Sequence, residues 1–310
     1  MRRSLAIAAA ASIASAQPAA ARDPLVLRPT EPWTMNYGED SCQLVRIFGE
    51  GEDETGLMIE QFGPSERVRI TLISRYAQLR VRPYPHYAID QKTARSVSPP
   101  QIGVRFGKTG EAMGEAMEAR VKSASMADGR FITVASAVRP TLQGPEKEKE
   151  QDEPYHLPAL SIDALAGSDR VAFEGLVDGD LILATGPLAA ATKAMNACSE
   201  NLLSHWGLDI AAHRTLRSPV RMVDETAPWL NYPDQQNLDR IEGLVEYRVM
   251  VDSAGLATAC HIQSGSGPDT DFGDAVCHGM MNTVVFEPAI NAGGEPIASY
   301  YRGTVDFRFR

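Results

Sequence analysis

Between Gly243 and Val251 the chain alternates strictly: Val245, Tyr247, Val249 and Val251 fall on one side, Glu246 and Arg248 on the other. A period of two puts apolar and polar side chains on opposite faces of a strand. Asp252-Ser253-Ala254-Gly255 supplies a turn with glycine at its last position. Leu256 to Gln263 returns as a second strand, with Leu256, Cys260 and Ile262 on one face, and Ser264 to Thr270 is expected to break structure. Phe272, Ala275, Val276, Gly279, Met280 and Thr283 then recur at helical spacing, with Cys277 at the edge of the stripe. Tyr300 to Phe309 alternates again: Tyr301, Val305, Phe307 and Phe309 on one face, Arg302, Thr304, Asp306 and Arg308 on the other. This order predicts a three-stranded antiparallel sheet with one face covered by helix, a combination that makes so small a sheet viable.

The region from Asp23 to Leu208 reads as a mostly-β domain, so the fold class is α+β. Trp33 to Tyr37, Cys42 to Phe48, Leu57 to Phe62 and Val68 to Ser74 are short β-type runs separated by Gly, Pro, Asp and Glu. Ile102 to Phe106, Phe131 to Val138, Val171 to Phe173 and Leu181 to Ala184 continue the series, with a tight hairpin expected at Asp178-Gly179. Glu111 to Val121 has a weak helical pattern, and the charge run from Gly144 to Pro154 reads as a solvated loop. The clearest helix spans Pro187 to Trp206. Proline suits its first turn, Gly207 its stop, and Leu188, Ala191, Met195, Cys198 and Leu202 share one face. Residues 209–230, with Arg214, Arg217 and Arg221, read as a surface linker to the domain at 232–310.

Met1-Arg2-Arg3, an apolar run from Leu5 to Ala16 and Ala19-Ala20-Ala21 form the charged, apolar and small-residue pattern of a cleaved signal peptide over residues 1–21. Cleavage is expected between Gln17 and Asp23. The apolar run is too short for a good membrane-spanning helix, and no later segment matches its apolar density, so no membrane span is expected in the mature chain. Loss of Arg2 and Arg3 takes the formal charge from −10 to −12. That acidity argues against nucleic acid and anionic lipid as partners.

The C-terminal pattern resembles the C-terminal domain of TonB-type energy transducers of the Gram-negative envelope. Tyr232-Pro233, Gly243 with its strand, Val251-Asp252 with Gly255, Ser264-Gly265-Ser266-Gly267, Phe286-Glu287-Pro288-Ala289, and Gly294 with Pro296 match that family's motifs in order. At the helix start the chain has Phe272-Gly273 where the family often has Leu-Asp. The resemblance implies a periplasmic binding module that catalyses nothing. Its partner would be an envelope or outer-membrane protein, engaged through an extended segment at the last strand, where Tyr300, Arg302, Thr304, Asp306 and Arg308 are the candidate contacts. The uncleaved membrane anchor and proline-rich spacer of the transducers are not recognised here, so the resemblance extends to binding and not to transduction. The four cysteines of an exported chain favour disulfides, with three possible pairings. Pairing within each region gives Cys42–Cys198 and Cys260–Cys277, and the second fits a version of the domain in which strand and helix are bridged.

Other chemistry is weaker. Cys260-His261 and Cys277-His278 contain a zinc-type set, but neighbours on a strand or helix diverge and cannot reach one ion, so no metal is expected. Ser264 to Gly267 lacks the register of a nucleophile elbow. His86, His156, His205 and His213 lie in unlike contexts, and Gly103, Gly107 and Gly110 near Lys108 do not form a phosphate loop. No cofactor is implied. An enzyme or small-ligand site in the N-terminal domain, with the C-terminal module as a docking attachment, is the alternative reading.

Overall fold

The structure is a computed structural model that describes residues 23–77, 103–107, 116–117, 131–138, 155–177, 179–223, 230–234, 243–266 and 271–307. The expected signal peptide, the charge run at 144–154 and Arg308 lie outside the described residues.

The first half builds β1 (Leu25–Leu27), β2 (Thr34–Tyr37), β3 (Cys42–Phe48), β4 (Thr55–Gln61), β5 (Val68–Ser74), β6 (Gly103–Phe106), β7 (Ala116–Met117) and β8 (Phe131–Val138). Then come α1 (Ile162–Ala166), β9 (Val171–Val177), β10 (Gly179–Leu183), α2 (Ala189–His205) and α3 (Ile210–Arg214). Six strands form one sheet in the order β2-β3-β4-β5-β8-β7, and β1-β10-β9-β6 form another. The alternation in β3 works as the pattern predicts: Cys42, Leu44 and Phe48 are buried at every second or fourth place. Leu57, Ile59, Ile70 and Leu72 join them in a core that also takes Phe173, Leu181 and Leu183 from β9 and β10. Leu188, Met195, Cys198 and Leu202 of the α2 region close this core. Gly207, in the left-handed region at φ 77°, follows the helix and lets the chain turn away. The weak helical pattern at 111–121 yields a strand at the two residues described there, β7. Pairing to β8 overrides the local preference.

The second half contains β11 (Arg221–Met222), β12 (Gly243–Val251), β13 (Ala257–Ser266), α4 (Asp271–Asn282), β14 (Phe286–Glu287), β15 (Ala289–Ile290), β16 (Pro296–Ile297) and β17 (Ser299–Phe307). Sheet order is β13-β12-β17, all antiparallel. Val245, Tyr247, Val249 and Val251 pack with Phe272, Val276 and Met280 of α4 and with Val305 and Phe307 of β17. Phe272 and Phe307 stack at 4.3 Å between ring centroids, and Tyr232 meets both edge-on.

Two features differ from the sequence reading. From Leu216 on, the described part of the expected linker at 209–230 is built into the second body. Leu216, Val220 and Met222 belong to the second core, and β11 pairs antiparallel with β14. A two-residue strand has no period to read, so arginines and prolines dominated the pattern. The serine-glycine stretch does not end the strand either: β13 runs through to Ser266 because β12 supplies partners for Ser264, Gly265 and Ser266.

The sulfurs of Cys42 and Cys198 lie at bonding distance, joining β3 to α2, as do those of Cys260 and Cys277, joining β13 to α4. The Cα–Cα separations are 6.1 and 5.5 Å, inside the usual disulfide range.

Candidate functional site

A three-stranded sheet has two edges and two faces, and here they are not equivalent. One face of β13-β12-β17 carries α4. On the other face the cross-strand rows are Ser264–Glu246–Thr304 and His261–Arg248–Arg302.

That second face is not solvated. Glu246 and Arg248 are each only 4% exposed, because the N-terminal body packs on them. Arg248 Nη2 lies 3.1 Å from Asp40 Oδ1, and its guanidinium carbon sits 4.1 Å from the centre of the Trp206 ring. Trp206 Nε1 donates to the same Asp40 oxygen at 3.2 Å. The Nε and Nη1 of Arg248 have no hydrogen-bond partner among the described residues, and burial lowers the guanidinium pKa. Trp206 also meets Tyr300 edge-on at 5.1 Å, and burial raises the Tyr300 phenol. The Tyr155 phenol, electrostatically coupled to that of Tyr300, is itself pushed up to about 12 by burial.

Next to this lies a second contact. Gln263 Nε2 donates to the carbonyls of Phe62 (2.8 Å) and Asp40 (3.1 Å), and Gln263 Oε1 accepts from Arg302 Nε at 3.1 Å. Gly63 is pressed into the same seam. A Cβ there would stand 2.7 Å from the Trp206 ring and 3.2 Å from Arg302 Cδ, and φ is 133°, so this close approach requires glycine. Arg69 donates to Glu60 and, at 2.7 Å, to Ser264 Oγ. Thr304 Oγ1 donates to Glu246 Oε2 at 2.8 Å. Burial raises the Glu246 carboxyl; Thr304, Arg302 and Arg69 oppose that rise, and Glu60 adds to it. Burial also lowers Arg302.

One histidine is buried at this seam. His213 Nδ1 donates to the Asp209 carbonyl at 2.7 Å, and Nε2 lies in hydrogen-bond contact with Ser299 Oγ at 3.0 Å. His213 and Ser299 are 1% and 2% exposed. This buried serine–histidine contact ties α3 to the start of β17.

The edges differ in regularity. β17 pairs with β12 through nine consecutive residues, Ser299 to Phe307, without a shift in register. β13 shifts register against β12 twice, once past Gln263 and once past Thr258. Such bulges twist an edge and spoil it as a template. Among the described residues neither edge pairs with another strand.

The four described candidate contact residues therefore divide. Tyr300 and Arg302, expected to face a partner, turn onto the chain's own N-terminal body. Thr304 and Asp306 remain exposed. The sequence reading missed Asp40, Phe62, Gly63, Arg69, Trp206 and Gln263. Charged residues alternating on a strand look solvated, and no local signal announces a covering from nearly two hundred residues away.

This geometry of hairpin, helix and closing strand meets the motif order noted above. Residues 228–309 match the family model of the Gram-negative bacterial TonB protein C-terminal. The TonB C-terminal domain is a protein-interaction domain of the periplasm, not an enzyme, and interacts with outer-membrane proteins. The match covers this segment only and leaves the N-terminal body unassigned. No curated protein matches the chain. Among the described residues no helix is long and apolar enough to cross a membrane, and no group of three or more His, Cys, Asp or Glu could hold a metal ion.

Proposed function

We propose that this is an exported periplasmic protein whose TonB C-terminal domain captures an extended segment of an envelope or outer-membrane partner by strand addition along β17. The observation that carries the reading is the unbroken register of β17, which among the described residues pairs with β12 alone, in a domain that matches an interaction family. Strand addition draws affinity from main-chain hydrogen bonds and specificity from alternate side chains. The N-terminal body takes Tyr300 and Arg302 for its own contacts, so selection falls to the stretch around Thr304 and Asp306. The two disulfides fit an oxidising compartment.

The test is site-specific photocrosslinking in Gram-negative cells, with a photoreactive residue at Thr304 on one edge or Thr258 on the other. Adducts with an envelope protein should form from position 304 and not from 258. Adducts from 258 alone, or equally from both, would sink the reading.

A further inference from the structure

The seam between the two bodies is built around one bond. Cys42 lies two residues after Asp40, and Cys198 lies two helical turns before Trp206. Their disulfide ties the start of β3 to α2. Asp40 and Trp206 project from those same two places, bond to each other, and take Arg248 between carboxylate and ring. Asp40 also offers its carbonyl to Gln263, and the Trp206 ring also meets Tyr300. Every strand of the C-terminal sheet is thus gripped from this pair: β12 by Arg248, β13 by Gln263 and β17 by Tyr300. An arginine with two buried nitrogens that have no partner among the described residues has much to gain from water when the ring is withdrawn. A seat of this kind holds only if carboxylate and indole stay in register.

We propose that the Cys42–Cys198 bond is the fixture that docks the TonB C-terminal domain onto the N-terminal body, so that oxidation in the envelope closes the Asp40–Trp206 clamp on Arg248 and covers the sheet face bearing Glu246, Arg248 and Arg302. In forming, the bond sends two electrons and two protons from the two thiols to a disulfide oxidant, which departs as a dithiol. Cys42 and Cys198 are 0% and 5% exposed once the protein is folded, so the bond is closed during folding and then sheltered from thiols. Before it closes, α2 is held against β3 by core packing alone, with no covalent bond to fix the gap of the clamp. The second disulfide lies wholly within the C-terminal domain and has no part in the clamp.

Arginine footprinting tests this directly. The full-length mature protein is treated with phenylglyoxal, and modification at Arg248 and Arg302 is read by peptide mass spectrometry, with exposed Arg214 as the internal reference. In wild type both seam arginines should be protected. In Cys42→Ser/Cys198→Ser they should react at least tenfold faster, while Cys260→Ser/Cys277→Ser should leave them protected. Trp206→Ala, with both disulfides intact, should expose them as the Cys42/Cys198 variant does. Continued protection of Arg248 and Arg302 in Cys42→Ser/Cys198→Ser overturns the proposal. So does loss of that variant's far-UV circular dichroism, which would mean that the bond holds the whole N-terminal sheet rather than the clamp. Equal exposure in the Cys260/Cys277 variant would also overturn it, by showing that any lost disulfide opens the seam.

Discussion

Glu246 shows how a residue on an ordinary amphipathic strand becomes a buried charge. The polar face of β12 is covered, and the carboxylate keeps one hydroxyl donor, Thr304, with Arg302 and Arg69 nearby. Desolvation outweighs them and raises the carboxyl pKa in the folded state. A raised folded pKa means that the folded state holds the proton more tightly than the unfolded chain. The stabilisation is therefore full below the unfolded carboxylate range and is lost as pH rises through the folded pKa. Glu246→Gln keeps an acceptor for Thr304 and carries no charge. Urea denaturation should find the variant close to wild type near pH 4, and more stable than wild type near pH 8 by an amount on the order of 1 kcal/mol. A variant less stable than wild type at the higher pH would mean that Arg302 and Arg69 outweigh the cost of burial.

At the scale of the element, the bulge at Gln263 decides what β13 can do. A regular strand would alternate His261 and Gln263 on one face with Ile262 and Ser264 on the other. Here Ile262 lies opposite Tyr247, and Ser264 lies opposite Glu246, so Gln263 is the extra residue. Gln263 and Ser264 both reach the N-terminal body, to Phe62 and to Arg69. Gln263→Ala leaves two carbonyls and the Arg302 Nε without this partner, and should cost about 1–3 kcal/mol by chemical denaturation. A cost below about 0.5 kcal/mol would show that the bulge is incidental. The strands themselves were legible because Val245 to Val251 and Tyr301 to Phe307 obey a period of two, and α4 because Phe272, Val276 and Met280 obey a helical one. The bulge was not, since Gln263 gives no local sign of an extra residue and the serine-glycine stretch beside it reads as a break. Nor could the sequence say that the polar face of β12 is covered. Alternation tells which side chains share a face, not what lies against it. The same limit left Arg302 and Tyr300 among the candidate partner contacts.

At the scale of the whole molecule, the described residues form two hydrophobic cores, one from Leu27 to Leu202 and one from Leu216 to Phe307. Each disulfide lies within one of them: Cys42–Cys198 spans 156 residues of the first, Cys260–Cys277 spans 17 of the second. No disulfide crosses the seam, so the bodies are coupled by the chain connection around Gly207 and by the contacts of Asp40, Phe62, Arg69 and Trp206 with Arg248, Gln263, Ser264 and Tyr300. Inter-domain contacts of this polar kind are often weak, and independent motion is their default. This seam differs in burying an arginine against an indole and setting a glycine against both sides. Two cores coupled more strongly than the difference in their own stabilities unfold together, and otherwise they unfold in turn. Trp206 supplies the largest side chain of the N-terminal half of the seam, and Trp206→Ala should remove about 2–4 kcal/mol of coupling. Scanning calorimetry should then give one heat-absorption peak for the wild type and two for the variant. The C-terminal peak should shift further on Cys260→Ser/Cys277→Ser, because that bond belongs to the second core alone. Two peaks already in the wild type would show that the seam does not couple the bodies. A single peak in Trp206→Ala, merely displaced, would show that the coupling runs through the connecting chain and the second core rather than through the ring on Arg248.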